Sequence, residues 1–164
     1  RKSLDFIGLR DFSLSFNGAL IKSKVQFAAG SNNIDRPMQG QSPYLINTGL
    51  FYSNSDYGWN AALLYNCIGK RIIGVGNRYG TASDGTARNI PNSYEMPRHS
   101  LDLSVAKKFG KFNVKFAIRD ILASRYMFKQ MEEVVQNGKE RTIEEVTRTY
   151  KPGRSFNITI GYSF

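Results

Sequence analysis

The sequence holds a single cysteine, Cys67, and a single histidine, His99. A lone thiol builds no disulfide framework, and neither residue has the company that a metal-binding cluster needs. The shortage also argues against catalysis. With one imidazole, and no nucleophile, base and orienting group at usable spacing, the chain reads as a non-enzyme that carries no cofactor. Long apolar runs are missing as well. The longest is "AALLY" at Ala61–Tyr65, far short of the ~20 residues a membrane-spanning helix requires. No helical repeat of apolar positions is sustained over several turns. The mean hydropathy of -0.39 excludes a helical membrane protein but not a membrane barrel, whose strands are half polar. The chain begins at Arg1 with neither methionine nor a charged-then-apolar leader, so it is expected to be a processed form or a piece of something longer.

Acidic residues are also in deficit: 13 Asp and Glu face 23 Lys and Arg, a net charge of +10. Such a balance raises the question of nucleic acid. The cations are scattered through "GKRIIGVGNRYG", "AKKFGKFNVKF" and "NGKERT" and form neither a block nor a helix face. No nucleic-acid module is recognisable, so no nucleic-acid partner is expected.

What the chain does have is 11 Phe, 9 Tyr and 15 Gly, a weighting toward β-structure. Six segments alternate apolar and polar residues with the period of a strand. They are "FSLSFNGAL" from Phe12, "PYLINTGLFY" ending at Tyr52, "WNAALLYNC" from Trp59, "SLDLSVAKKF" from Ser100, "FNVKFAIRD" from Phe112 and "SFNITIGYSF" at the end of the sequence. The connections alternate too. A long polar stretch follows the first segment and only "SNSDYG" the second. A very long connection runs from about Gly69 to Arg98, then a tight turn forms at Gly110, and a long connection from Leu122 to Pro152 precedes the last segment.

Long and short loops in strict alternation put all the long ones on one rim of a meander. That is the layout of an outer-membrane barrel, with short periplasmic turns and long extracellular loops. The expected fold is all-β: an antiparallel up-and-down transmembrane β-barrel segment occupying residues 1–164, with its C-terminus on the periplasmic side. The Asn137-Gly138 pair inside the last connection predicts a two-stranded ribbon that carries the fifth and sixth strands beyond the membrane. Six strands would leave two open edges in lipid, so the segment is expected to be the C-terminal part of a larger barrel.

Several segments in this order, "RPMQGQSPYLINTGLFY", "YNCIGKRI", "MPRHSLDLSVAKKFG", "FAIRDILASRY" and "YKPGRSFNITIGYSF", resemble the closing strands of TonB-dependent outer-membrane receptors of the Bacteroidetes type. The family more often shows Asn where Asp120 stands. The resemblance implies a 22-stranded barrel in the outer membrane of a Gram-negative bacterium, importing a metal chelate, vitamin, or glycan or peptide fragment. Its plug domain, which meets the TonB complex, would lie before Arg1. The implied partners are outer-membrane lipid, the rest of the barrel and plug, the barrel-insertion machinery and a surface lipoprotein. The family's assembly signal, an alternating aromatic strand ending in Phe, maps onto Phe156, Ile158, Ile160, Tyr162 and Phe164. A structural or secretion-associated outer-membrane barrel without an import role is the alternative, and a soluble basic β-domain the third reading.

Among individual residues, Tyr44, Tyr52, Trp59 and Tyr65 fall toward strand ends on the apolar side, where amphipathic rings suit a membrane interface. Asn47, Asn60, Asn66, Asn113, Lys115, Arg119 and Asn157 fall on the opposite side, with Leu45, Phe51, Leu64 and Ile68 interrupting them. Arg71, Arg78, Tyr79 and Asp84, in the Gly-rich third connection, are candidate ligand contacts from above. That loop has neither dinucleotide-binding nor P-loop spacing. Glu132-Glu133 and Glu144-Glu145 look like paired carboxylates, but neighbours on a ribbon point to opposite faces. They are expected to balance Lys129, Lys139 and Arg148 across the hairpin.

Overall fold

A computed structural model describes residues 10–28, 35–76, 80–81, 87–88, 90–136 and 139–164. Among these there is no helix, and every strand pairing is antiparallel. The strands are β1 (Phe12–Leu20), β2 (Tyr44–Asn54), β3 (Trp59–Ile68), β4 (Arg71–Gly74), β5 (Gly80–Thr81), β6 (Ala87–Arg88), β7 (Asn92–Glu95), β8 (Arg98–Phe109), β9 (Phe112–Arg119), β10 (Tyr126–Gln136), β11 (Lys139–Tyr150) and β12 (Ser155–Tyr162). The six alternating segments of the sequence are β1, β2, β3, β8, β9 and β12. They form one sheet in that order, a meander in which each strand pairs with its neighbours in the series.

The short turns are built by local chemistry. Between β2 and β3, Asn54 is buried; its amide donates to the Asp11 carboxylate and its Oδ1 accepts from Tyr57 N at 2.9 Å. Gly58 closes this turn at φ +67. Between β8 and β9, Gly110 and Lys111 form a two-residue loop closed by the Phe109–Phe112 pair. Gly110 has φ 56, as the hairpin turn with glycine in its first central position demands.

The long connections hold further pairing. β4 and β7 continue the β3–β8 hairpin past a break at Gly69-Lys70 and Met96-Pro97. β10 pairs with both β7 and β11, so a four-stranded sheet runs in the order β11-β10-β7-β4. Its strands repeat the order of β12, β9, β8 and β3 beyond the long-loop rim. The expected β10–β11 ribbon is present and continues from β9 and β12, with two differences. The chain breaks at 120–125, where Asp120 and Ala123 take φ 55 and 46, and the ribbon gains β7 and β4 on one side. The Asn137-Gly138 turn itself lies outside the described residues.

No conventional core forms. Among the described residues only Cys67 and Ile72 are buried apolar side chains, where a chain of this length ordinarily buries many more. Leu50 and Leu63 are flanked by paired strands on both sides, yet they remain 40% and 37% exposed, while Leu64 on the reverse face is 45% exposed. Among the described residues the main sheet is therefore a single layer with neither face covered by another element, whereas a water-soluble domain stacks at least two.

Candidate functional site

Residues paired across an antiparallel ladder share a face, so the registers determine what each side of the six-stranded sheet presents. One row runs Phe12, Tyr52, Ala61, Val105, Phe116, Ile158. Another runs Leu14, Leu50, Leu63, Leu103, Ile118, Phe156. The apolar stripes of the separate strands thus fuse into one face crossing all six. Lys107 is its only charged member among the described strand residues, and it sits at the short-turn end. With ~4.8 Å between strands and ~3.3 Å per residue the face measures roughly 25 Å by 25 Å, on the order of 600 Å² in projection. Soluble monomers rarely expose a patch above about 300–600 Å².

Aromatic residues border this face at the short-turn end: Phe12, Tyr52, Trp59, Phe109, Phe112 and Tyr162. Phe12 packs on Tyr52 and Phe112 on Tyr162, each at 4.9 Å between ring centres. The Lys107 ammonium lies 4.6 Å from the Trp59 ring and donates to the Tyr57 carbonyl, so its charge is drawn to the rim. Tyr44 and Tyr65 lie toward the long-loop end, where Tyr65 Oη and His99 Nδ1 share a hydrogen bond of 2.7 Å. All four residues expected to form interface aromatics are on the apolar face and toward its ends. Cys67 is on the same face, packed away as an apolar filler.

The sequence segment expected to be the assembly signal forms β12, an edge strand whose second side is unpaired among the described residues. Phe156, Ile158, Ile160 and Tyr162 share the apolar face and are all largely exposed. Phe164 lies just past the strand, edge-on to Tyr162 at 5.2 Å, and Ser163 N donates to Lys111 O at 2.8 Å.

The reverse face carries every polar position expected there. Asn17, Asn47, Asn66 and Ser100 occupy one register row, and Asn66 Nδ2 donates to Asn47 Oδ1 at 2.6 Å. A shallow cavity of about 330 Å³ opens beside that row, over Gly49, with Ser15, Asn17, Asn47, Asn66 and Asp102 in its lining. A Cβ at Gly49 would come within 2.8 Å of both the Phe51 ring and Ser15 Oγ.

Where the two sheets meet, Arg98 pairs with Asp120, stacks on the Tyr126 ring at 4.2 Å and donates to Ser124 O at 3.5 Å. Asp102 Oδ1 accepts from Asp120 N at 2.8 Å. Nearby, Arg71 Nε and Nη2 both donate to Glu95 Oε2, at 2.9 and 2.7 Å. Of the four candidate ligand contacts, Arg71 is thus held by Glu95 just above the rim, while Arg78, Tyr79 and Asp84 lie outside the described residues. On the ribbon, Lys129 Nζ meets Glu144 Oε2 at 2.5 Å, one of the cross-hairpin pairs expected, while Arg148 lies 5.0 Å from the Tyr150 ring and the side chains of Glu133 and Lys139 lie outside the described residues. No metal-binding group of His, Cys, Asp and Glu occurs among the described residues.

Sequence reasoning missed the Arg98–Asp120 clasp, because residues 22 positions apart meet only once the register is known. It also missed β4 and β7, whose sequences "RIIG" and "NSYE" carry no sustained alternation. The chain matches no known family model, no curated protein and no solved structure. The functional reading therefore rests on its own residues and geometry.

Proposed function

We propose that this chain is the closing part of an outer-membrane β-barrel belonging to a TonB-dependent receptor, which imports a large, scarce nutrient. One observation carries the membrane half of this reading: six neighbouring strands of one sheet share a single apolar face that no other described element covers. In water such a face is costly; against lipid it is solvated. Three features agree with this. From Tyr44 to Tyr52 along β2 is about 26 Å at ~3.3 Å per residue, close to the ~25 Å apolar band of outer-membrane barrels. Strand midpoints slip in one sense from β1 to β12 by roughly one residue per strand, an inclination of about 30°, near the ~35–45° strand tilt of closed barrels. And every long connection leaves from the same rim.

On this reading β1 and β12 pair with further strands of the same barrel, since unpaired backbone groups are not tolerated in lipid. The Asn-rich face lines the lumen, where Leu45, Phe51 and Leu64 pack against a plug. The long loops and the four-stranded sheet stand outside the cell, and Phe164 lies at the periplasmic rim. The receptor half rests on the resemblance of "MPRHSLDLSVAKKFG", "FAIRDILASRY" and the ending "SFNITIGYSF" to receptor closing strands.

Two measurements test the halves separately. The native protein should need detergent to stay monodisperse and should change gel mobility on heating. Monodispersity without detergent, with no heat-dependent shift, would sink the membrane assignment. A plug domain with a TonB-contacting segment in the same polypeptide supports import, and its absence would leave a structural or secretion-associated barrel.

A further inference from the structure

Where the first long connection folds against the four-stranded sheet, it borders an open-mouthed cavity of about 320 Å³, within the ~300–1,000 Å³ range of small-molecule sites. Its walls are fastened at several points. Gly40 N donates to Ile72 O at 2.7 Å, Gln39 Nε2 to Ile73 O at 2.8 Å, Met38 N to Ser23 Oγ at 3.1 Å and Ile21 N to Pro43 O at 2.9 Å. A site held in this way loses little entropy on taking up a ligand.

The lining combines apolar walls, among them Ile72 and Tyr94, with three cations, Lys22, Lys70 and Arg71, and no carboxylate. Arg71 is neutralised by Glu95 at 2.7 Å. Lys22 and Lys70 form no salt bridge among the described residues. Among the described residues Lys70 Nζ has only soft company, the Tyr94 ring at 5.1 Å and Met131 Sδ at 3.8 Å.

We propose that this cavity binds a small organic anion whose charge is met by Lys22 and Lys70 and whose ring or other apolar body lies against Tyr94 and Ile72. The combination sets the ligand class. Surplus positive charge selects an anion, and the apolar walls select a body larger than an inorganic ion.

The test is a titration of the folded protein with three probes. Benzoate carries both charge and ring; acetate lacks the ring; benzyl alcohol lacks the charge. The first should bind about tenfold more tightly than either of the others, each lost interaction being worth roughly one order of magnitude. The Lys22→Gln/Lys70→Gln double variant should lower affinity for benzoate by about tenfold or more and leave benzyl alcohol unchanged, while Lys111→Gln, at the opposite turn, should change neither. Equal binding of the three probes, unchanged affinity in the double variant, or no binding by folded protein would each overturn the site. The probe comparison on the unaltered protein stands even if the double variant fails to fold. The inference does not depend on the membrane: a heat-modifiable protein that binds no probe keeps the barrel and loses the site, and the converse result does the reverse.

Discussion

Two glycines shape the short turns, and they differ in what a side chain would meet. Gly58, at φ +67, would bring a Cβ within 2.9 Å of the Lys108 carbonyl oxygen, whereas Gly110, at φ +56, has nothing within 4 Å. Gly110→Ala should therefore carry only the left-handed backbone penalty, about 1 kcal/mol. Gly58→Ala should cost about 2 kcal/mol or more, because backbone must also move. Denaturant titration of both variants checks the order. Arg98 and Asp120 make a second contrast. Asp120 needs a residue that tolerates positive φ, and Asn does so nearly as well. Asp120→Asn should then lose about 1 kcal/mol, while Arg98→Ala should lose about 2–3 kcal/mol by stranding a largely buried carboxylate. Asp35 brings in pH. Lys24 Nζ sits 2.8 Å from its carboxylate and Phe27 N donates to it at 3.1 Å; the Lys24 hydrogen bond first, then the Phe27 amide, hold its pKa below the ordinary value. A lowered folded pKa means that the clasp is complete above the unfolded carboxylate value of about 3.9 and is lost as pH falls through the folded one. The Phe27 amide should be protected from exchange near neutrality and lose that protection in acid, once intrinsic rates are corrected. Asp35→Asn should remove the pH dependence.

Each strand of the main sheet presents a different chemistry on its two faces, and a single charge shows which environment it faces. Leu63 and Ala62 are neighbours on β3, pointing to the apolar and polar faces respectively. In lipid an arginine near mid-depth costs about 2–4 kcal/mol, whereas on a lumen wall it is solvated. Leu63→Arg should impair insertion and stability by that amount and Ala62→Arg should cost little. If the sheet were bathed in water, a residue as exposed as Leu63 would accept the charge almost freely, so equal stability of the two variants would count against the membrane. The contrast was legible in the sequence only in part: "FNVKFAIRD" assigns a side to most of its residues, but in "WNAALLYNC" the run "AALLY" is apolar on both sides and only Asn60 and Asn66 mark the polar one. The fusion of six stripes into one face was not, since it depends on register, and a slip of one residue would have turned any stripe over. The outer sheet was still harder to read. β7 is a strand because β4 and β10 flank it, and nothing in "NSYE" announces that. The anion cavity likewise draws Lys22, Gln41, Lys70 and Tyr94 from separate stretches that only the folded connection brings together.

For the molecule as a whole, the question is what covers a two-faced single layer, and the lone tryptophan can answer it. The sequence has one Trp, Trp59, at the first position of β3 and on the apolar face. It lies at the short-turn rim with the Lys107 ammonium beside its ring. On the proposed membrane reading, an indole flanked by a cation and bordering an apolar band would sit at headgroup depth, its ring against lipid and its N–H near water. When the protein is reconstituted in bilayers, Trp59 fluorescence should shift to the blue. It should be quenched more strongly by lipids brominated close to the headgroup than by lipids brominated near the chain ends. A further barrel strand cannot mask this signal, because added strands extend the sheet sideways from β1 and β12 and leave β3 between its present partners. A second layer packed on the apolar face would mask it. Trp59 would then be blue-shifted without lipid and indifferent to brominated chains. That outcome would assign the face to a protein partner and return the chain to the soluble class, in which its +10 charge would again need an acidic partner to explain it.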